Sequence, residues 1–214
     1  MLRPSALAAC ATAVVCAFAW RSTAAASPDL FDDIYARSHA IQASLKTVTA
    51  RFTETTTTKM LVAPLVSHGD LAVVRPDRIV LRYTDPEAHV VLIDGAQMTL
   101  SWPSRGIVQK SDIGAARKRI DKYFVGKAPD DLRQAFRIAA ALSSDPPNTW
   151  QVTMDPTRSQ IKQGLAGLRL WIDRTSLLLT AMQMDFPDGD RKLMTFDDVR
   201  MNTPVDEGIF LLRH

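Results

Sequence analysis

The sequence contains two cysteines, Cys10 and Cys16, and both fall in its first 26 residues. A chain beginning at Ser27 has none, which excludes disulfides, thiol nucleophiles and cysteine-based metal sites together. Stability must then come from a packed interior without covalent staples. Histidine is also scarce: His39, His68, His89 and His214 form no i, i+4 pair and no His-Glu-x-x-His, so no metal centre is encoded in that form. There is no Gly-x-Ser-x-Gly elbow, and Gly167 has no phosphate-loop context. The paired carboxylates Asp188/Asp190 and Asp197-Asp198 lie near turns, where such pairs are normally solvated. Arg117-Lys118-Arg119 reads first as the wet face of a helix and only second as a contact for phosphate head groups. Charge of one sign is lacking too. Without residues 1–26, 24 basic residues face 23 acidic ones, too even a balance for long-range attraction to nucleic acid. The expectation is a protein with no catalytic residue, no metal, no cofactor and no nucleic-acid partner.

What is present begins with an export signal. Arg3 precedes an apolar run from Ala6 to Trp20, followed by Ala24-Ala25-Ala26, the layout of a secretory signal peptide cut after Ala26. The run is shorter than the roughly 20 residues a transmembrane helix needs. An uncleaved anchor, or acylation at Cys10 within Leu7-Ala8-Ala9-Cys10, is the weaker alternative. We therefore read residues 1–26 as signal peptide and 27–214 as one extracytoplasmic domain.

With Ser27 as N-cap, Pro28 at the first helical position and Asp29 beside it, a helix runs to about Lys46 with Leu30, Ile34, Ile41 and Leu45 on one stripe. Period two then takes over, with Val48, Ala50 and Phe52 alternating with threonines and Arg51. Strands follow at Leu65–Val74, Arg78–Thr84, His89–Ile93, Met98–Trp102 and Ile107–Lys110, separated by Arg75-Pro76-Asp77, Asp85-Pro86, Asp94-Gly95 and Pro103–Gly106. Tight turns make neighbouring strands antiparallel. Two helices fill the middle, over about 113–142. Ile113, Ala116, Ile120 and Phe124 lie on one face of the first, and Leu132, Phe136 and Ala139 on one face of the second. Strands resume at Thr149–Met154, Leu165–Asp173, Leu177–Phe186 and Arg191–Met201, ending with Ile209–Leu212. The sum is a mainly β domain: a single curved antiparallel sheet of about ten or eleven strands, an incomplete barrel, covered by helices. Two packed sandwich sheets are the alternative.

Methionine is frequent in or beside the strands. Met182, Met184 and Phe186 share one parity, as do Met98, Leu100 and Trp102. Such flexible side chains suit variable apolar cargo, but periodicity fits a packed interior and a cavity equally.

The stretch from Gly69 to Pro86, Gly-Asp-Leu-Ala-Val-Val-Arg-Pro-Asp-Arg-Ile-Val-Leu-Arg-Tyr-Thr-Asp-Pro, resembles the signature of the periplasmic outer-membrane lipoprotein carrier family, the LolA-like proteins. In that family a Gly-x-Leu strand runs into Arg-Pro, and a second strand ends in Thr-x-Pro before a later Asp-Gly, here Asp94-Gly95. Ala50–Glu54 resembles the family's first strand; Thr195–Val199 and Asp206–Phe210 resemble its closing ones. The resemblance implies an incomplete barrel whose helical lid closes an apolar cavity for acyl chains. It implies a monomeric carrier, without cofactor, that shields the acyl chains of lipoproteins in the periplasm and takes them from an inner-membrane ABC transporter to an outer-membrane receptor. Each exposed CH₂ costs roughly 0.8 kcal/mol, so such an anchor cannot cross water unshielded. By the same resemblance Arg75 is the latch of the lid, and Ile79, Leu81 and Tyr83 lie at the cavity mouth. Phe52, Met182, Met184 and Phe186 are further lining candidates, and Ile120, Phe124, Leu132 and Phe136 form the lid's inner surface. A carrier or sensor of another envelope lipid, a glycolipid or other acyl product, is the alternative within the class. A lipid-acting extracytoplasmic enzyme is the alternative outside it.

Overall fold

The computed structural model describes residues 29–115, 118 and 128–212. The signal segment, Ile120 and Phe124 lie outside the described residues.

Helix α1 (Leu30–Ser44) starts where Asp29 accepts hydrogen bonds from the amides of Phe31, through its carboxylate, and of Asp32 and Asp33, through its carbonyl. These bonds satisfy amides that the first turn leaves without helical partners. Eleven strands follow: β1 (Thr47–Thr57), β2 (Leu65–Val74), β3 (Arg78–Asp85), β4 (His89–Asp94), β5 (Gln97–Trp102), β6 (Ile107–Asp112), β7 (Phe136–Ser143), β8 (Thr149–Pro156), β9 (Gly167–Asp173), β10 (Leu179–Asp185) and β11 (Arg191–Met201). All belong to one antiparallel sheet in the order β6-β5-β4-β3-β2-β1-β11-β10-β9-β8-β7, which overturns the sandwich alternative. Every pairing joins sequence neighbours except β1 with β11, the seam between two meanders. The sheet is not closed into a barrel, because β6 and β7 are its two edges. Helix α2 (Pro129–Ala135) leads into β7, and short α3 (Ser159–Lys162) follows β8.

Two segments differ from the expectation. The second middle helix stops at Ala135, and Phe136 opens a strand rather than continuing a helical stripe to 142. Alanine-rich 136–143 has helical propensity, yet Phe136, Ile138, Ala140 and Leu142 also alternate. Pairing with Pro156, Met154, Val152 and Trp150 of β8 completes a ladder and fills the interior, so tertiary context wins over local preference. Conversely, Ile209–Leu212 is not a strand: Glu207–Phe210 forms a 3₁₀ turn capped by Asp206. The strand total matches only because one strand is gained where another is lost.

Helices and sheet enclose the main core. Phe31 and Ile34 of α1 and Leu132 and Ala135 of α2 pack on Phe136, Trp150, Val152, Met154 and Leu168. The face of the sheet they cover is called inner here. A clip holds the two helices together, Arg133 reaching Asp29 and Asp32 at 2.8 Å each. On the outer face the C-terminal segment lies over β2–β4, where Phe210 meets Ala72, Val80 and Val90. Arg82 donates to the carbonyls of Ile209 and Leu211 at 2.7 and 3.0 Å, and Arg78 pairs with Glu207 at 2.8 Å.

A groove between helix and sheet

Strand register assigns each residue to a face. Leu100, Val91, Leu81, Leu71 and Ala50 lie side by side across β5-β4-β3-β2-β1. Met194, Met182, Leu170, Val152 and Ala140 do the same across β11 to β7. Phe52 pairs with Gly69 on one side and Phe196 on the other, joining the two sets at the seam. Leu81 and Tyr83 pack with Phe52, Met194 and Phe196, and Ile79, opposite Val73 and Ile93, has the same parity. Met184 lies on this face too, against the helix-covered core, and Met182 packs against both that core and the Phe52–Tyr83–Met194 cluster. Phe186 lies past the end of β10, in the turn its amide closes with the Asp190 carbonyl. Leu132 and Phe136 are buried together, one on α2 and one on β7.

The glycine before Leu71 has a steric reason. A Cβ on Gly69 would meet the Arg82 carbonyl and a Phe52 ring carbon 2.8 Å away. The Phe52 ring occupies that space and meets Tyr83 edge-on with centroids 4.9 Å apart.

Beside the seam, where α1 leaves the sheet, is an apolar cavity of about 260 Å³. Ile41 of α1 and Leu45, just past its end, form one wall. Val48, Ala50, Leu71, Phe196 and Val199 form the floor, and Leu177–Leu179 the far side. Arg75 stands at its rim. The Arg75 amide donates to the Lys46 carbonyl at 2.9 Å, which fixes the β2–β3 turn against the start of β1. The exposed guanidinium has no hydrogen-bond or ion-pair partner among the described residues.

At the other end of β1 the inner face carries one buried charge. Glu54 accepts from the Tyr83 hydroxyl at 2.8 Å and pairs with Lys192 at 2.8 Å. Burial and the neighbouring carboxylate hold the Tyr83 hydroxyl above the ordinary phenol range, so it remains a proton donor. Tyr83, His89 and Trp102 stack in succession, at 4.0 and 5.8 Å. No set of three His, Cys, Asp or Glu among the described residues could hold a metal ion.

The sequence reading missed Ile41, Leu45, Leu177–Leu179 and Phe196 as cavity lining, and Glu54 as a buried ion. The Ile41–Leu45 stripe and the triple leucine were visible as apolar. What one strand cannot reveal is which wall it meets. Glu54 had no signal, since a strand glutamate reads as solvated.

The described residues thus form an open apolar groove between α1 and the sheet. The fold is similar to that of Mycobacterium tuberculosis lipoprotein LppX (TM-score 0.50, 15% identity, covering 81% of this chain and 96% of that one). It is likewise similar to a chain of the Pseudomonas aeruginosa MucA/MucB complex (0.50, 13%, 85% and 60%) and to an uncharacterized conserved protein from Thermus thermophilus (0.51, 10%, 82% and 89%). This chain thus spans about three-fifths of the matched MucA/MucB chain. Identities this low speak to the fold alone. No curated protein is significantly similar in sequence. The pattern of one family, described as outer membrane lipoprotein carrier protein LolA, matches residues 43–213. That span includes the Gly69–Pro86 stretch, the seam and all eleven strands, and with it the chain belongs to the LolA family of periplasmic lipoprotein carriers, whose members are not enzymes.

Proposed function

We propose that the protein carries the acyl chains of lipoproteins from the inner to the outer membrane, on the inner face around the β1–β11 seam. The observation that supports this reading is the cavity between α1 and the sheet, lined by Ile41, Leu45, Val48, Leu71 and Phe196. Its volume of about 260 Å³ falls just under the roughly 300–1,000 Å³ usual for ligand sites. Loading an acyl chain then requires α1 to move off the sheet, opening the cavity toward Leu81, Ile79 and Val91. Phe52, Tyr83, Met182 and Met184 border that space. Phe186, at the β10–β11 turn, and Leu132 and Phe136, deep in the core, take part only if opening reaches them. Ile120 and Phe124 keep their proposed place on the lid.

Arg75 acts as the latch in this reading. Its position on the cavity rim and its five fixed donors suit it to hold carbonyls of a covering segment. Arg75→Leu should fold normally and bind cargo, yet release it more slowly. Transfer at the wild-type rate would rule the latch out. Residues 1–26 direct export and are cleaved near Ala26, and the carrier works as a monomer between an ABC transporter and an outer-membrane receptor. Native mass spectrometry of the protein recovered from the periplasm tests the cargo. Bound acylated protein supports this reading, and a bound glycolipid or other acyl product redirects it to another envelope lipid. Chemical turnover of added lipid overturns both.

A further inference from the structure

The apolar residues of the inner face are largely covered by the fold; those at the tip of the β1–β2 hairpin are left largely exposed. Between β1 and β2 the chain reads Thr58-Lys59-Met60-Leu61-Val62-Ala63-Pro64. Met60 is 91% exposed and Val62 109%, and Leu61, Leu65 and Val66 are each more than two-fifths exposed. Five of the eleven large hydrophobic side chains exposed among the described residues thus sit in residues 60–66. Isolated exposed hydrophobics are ordinary, but a contiguous set is not. No acidic residue occurs between Glu54 and Asp70. Lys59 is drawn back over the adjoining β10–β11 turn, where a Cβ on Gly189 would lie 3.1 Å from its ammonium nitrogen.

We propose that this hairpin tip docks the protein on a lipid bilayer, its aliphatic side chains entering the acyl region and Lys59 staying at head-group level. The tip is a projection rather than a groove, and it offers no Trp, Tyr or Arg of the kind that anchors protein–protein contacts. A fluid apolar phase needs no matching shape and accepts Met, Leu and Val alike. A lysine at the base reaches the head groups along its own apolar stem, and a carboxylate-free stretch avoids desolvating an acid. Asp188 and Asp190 in the neighbouring turn limit insertion to the tip. Geometry separates this surface from the cavity. β1 begins beside Arg75 and ends at Thr57, so its eleven residues place the tip roughly 35 Å from the cavity rim. Docking therefore leaves the Arg75 end free.

Vesicle flotation of the full chain from Ser27 tests this, using phosphatidylethanolamine–phosphatidylglycerol vesicles and pure phosphatidylcholine vesicles. The wild-type protein should float with both. Replacing Met60→Asp and Val62→Asp together should weaken flotation about tenfold or more, without changing the melting temperature or fatty-acid binding, because neither residue packs in the fold. Lys59→Gln should weaken it a few-fold on the anionic vesicles only. The absence of cysteine after Cys16 permits a single reporter. A polarity-sensitive dye at Val62→Cys should shift to the blue on vesicles, and one at Thr175→Cys, at the opposite end of the sheet, should not. Three results would each overturn the proposal: a wild-type protein that stays in solution, a double variant that floats as well as wild type, or a dye at Val62→Cys that does not shift on vesicles. Since fatty-acid binding is read separately, failure here leaves the carrier reading standing, and the reverse holds.

Discussion

The two halves of the inner face are built from the same alternation and end differently. From β7 to β9 it is filled: Phe31, Ile34, Leu132 and Phe136 press onto Trp150, Val152, Met154 and Leu168, all under a tenth exposed. From β1 to β5 the corresponding row of Leu71, Leu81 and Val91 is only half-buried, and the cavity opens beside it. Strand sequence alone does not set the difference. Among the described residues, the filled half is the one onto which α1 and α2 aim large apolar side chains. The filled half is a foundation, and the half-filled one is where a ligand can add apolar contact that the protein lacks.

That contrast can be broken from either side. Phe136→Ala or Ile34→Ala empties space that neighbours cannot reclaim, and each should cost about 2–5 kcal/mol, read as a large fall in melting temperature. Leu81→Ala should cost only about 1 kcal/mol, because half the side chain already meets water, while clearly weakening binding of a fluorescent fatty acid. Equal losses of stability from both halves would erase the distinction.

The next largest effect is at the seam. Gly69→Ala forces a methyl against the Arg82 carbonyl and the Phe52 ring, so backbone or ring must shift, at about 1–3 kcal/mol. Pairing it with Phe52→Leu, which vacates the ring's place, should give a double variant less unstable than the two separate costs predict. Simple additivity would mean the ring and the glycine do not share that space.

The smallest effect separates the helix-bearing half by pH. The Phe31 amide and Arg133 hold Asp29 below the ordinary carboxylate range, and the Ser176 amide and further bonds do the same for Asp173 at the β9–β10 turn. An unfolded chain therefore takes up these protons first as pH falls. The stability they give is complete above about pH 4 and is lost as pH drops through the folded values. Both groups are well solvated, so the contribution is modest. Arg133→Gln should flatten the acid limb of a stability–pH curve by lowering stability slightly near neutrality while leaving it almost unchanged at the acid end; an unaltered acid limb would contradict this.

Much of the fold could be read because tight turns force antiparallel neighbours and because Gly69, Arg75-Pro76 and Asp94-Gly95 mark their places by backbone need. The reading failed where two periods overlap. Residues 136–143 satisfy a helix by composition and a strand by alternation, and only the presence of β8 decides. Ile209–Phe210 looks like a strand but is held on the outer face by Arg78 and Arg82 instead of pairing with a sheet edge. The shared face of Ile79, Leu81 and Tyr83 was legible from spacing alone. Its joining to Phe52 and Met182 required the register, and the role of Ile41 and Leu45 required the position of α1 over the seam.

A photoactivatable fatty acid, bound to the protein and mapped by peptide mass spectrometry, measures directly which half accepts an acyl chain. Labelling at Leu71, Leu81 and Phe196, and at Ile41 of α1 and the adjoining Leu45, is the predicted result. Labelling confined to Met154, Leu168 and their neighbours on β8 and β9, or none at all, would contradict the account.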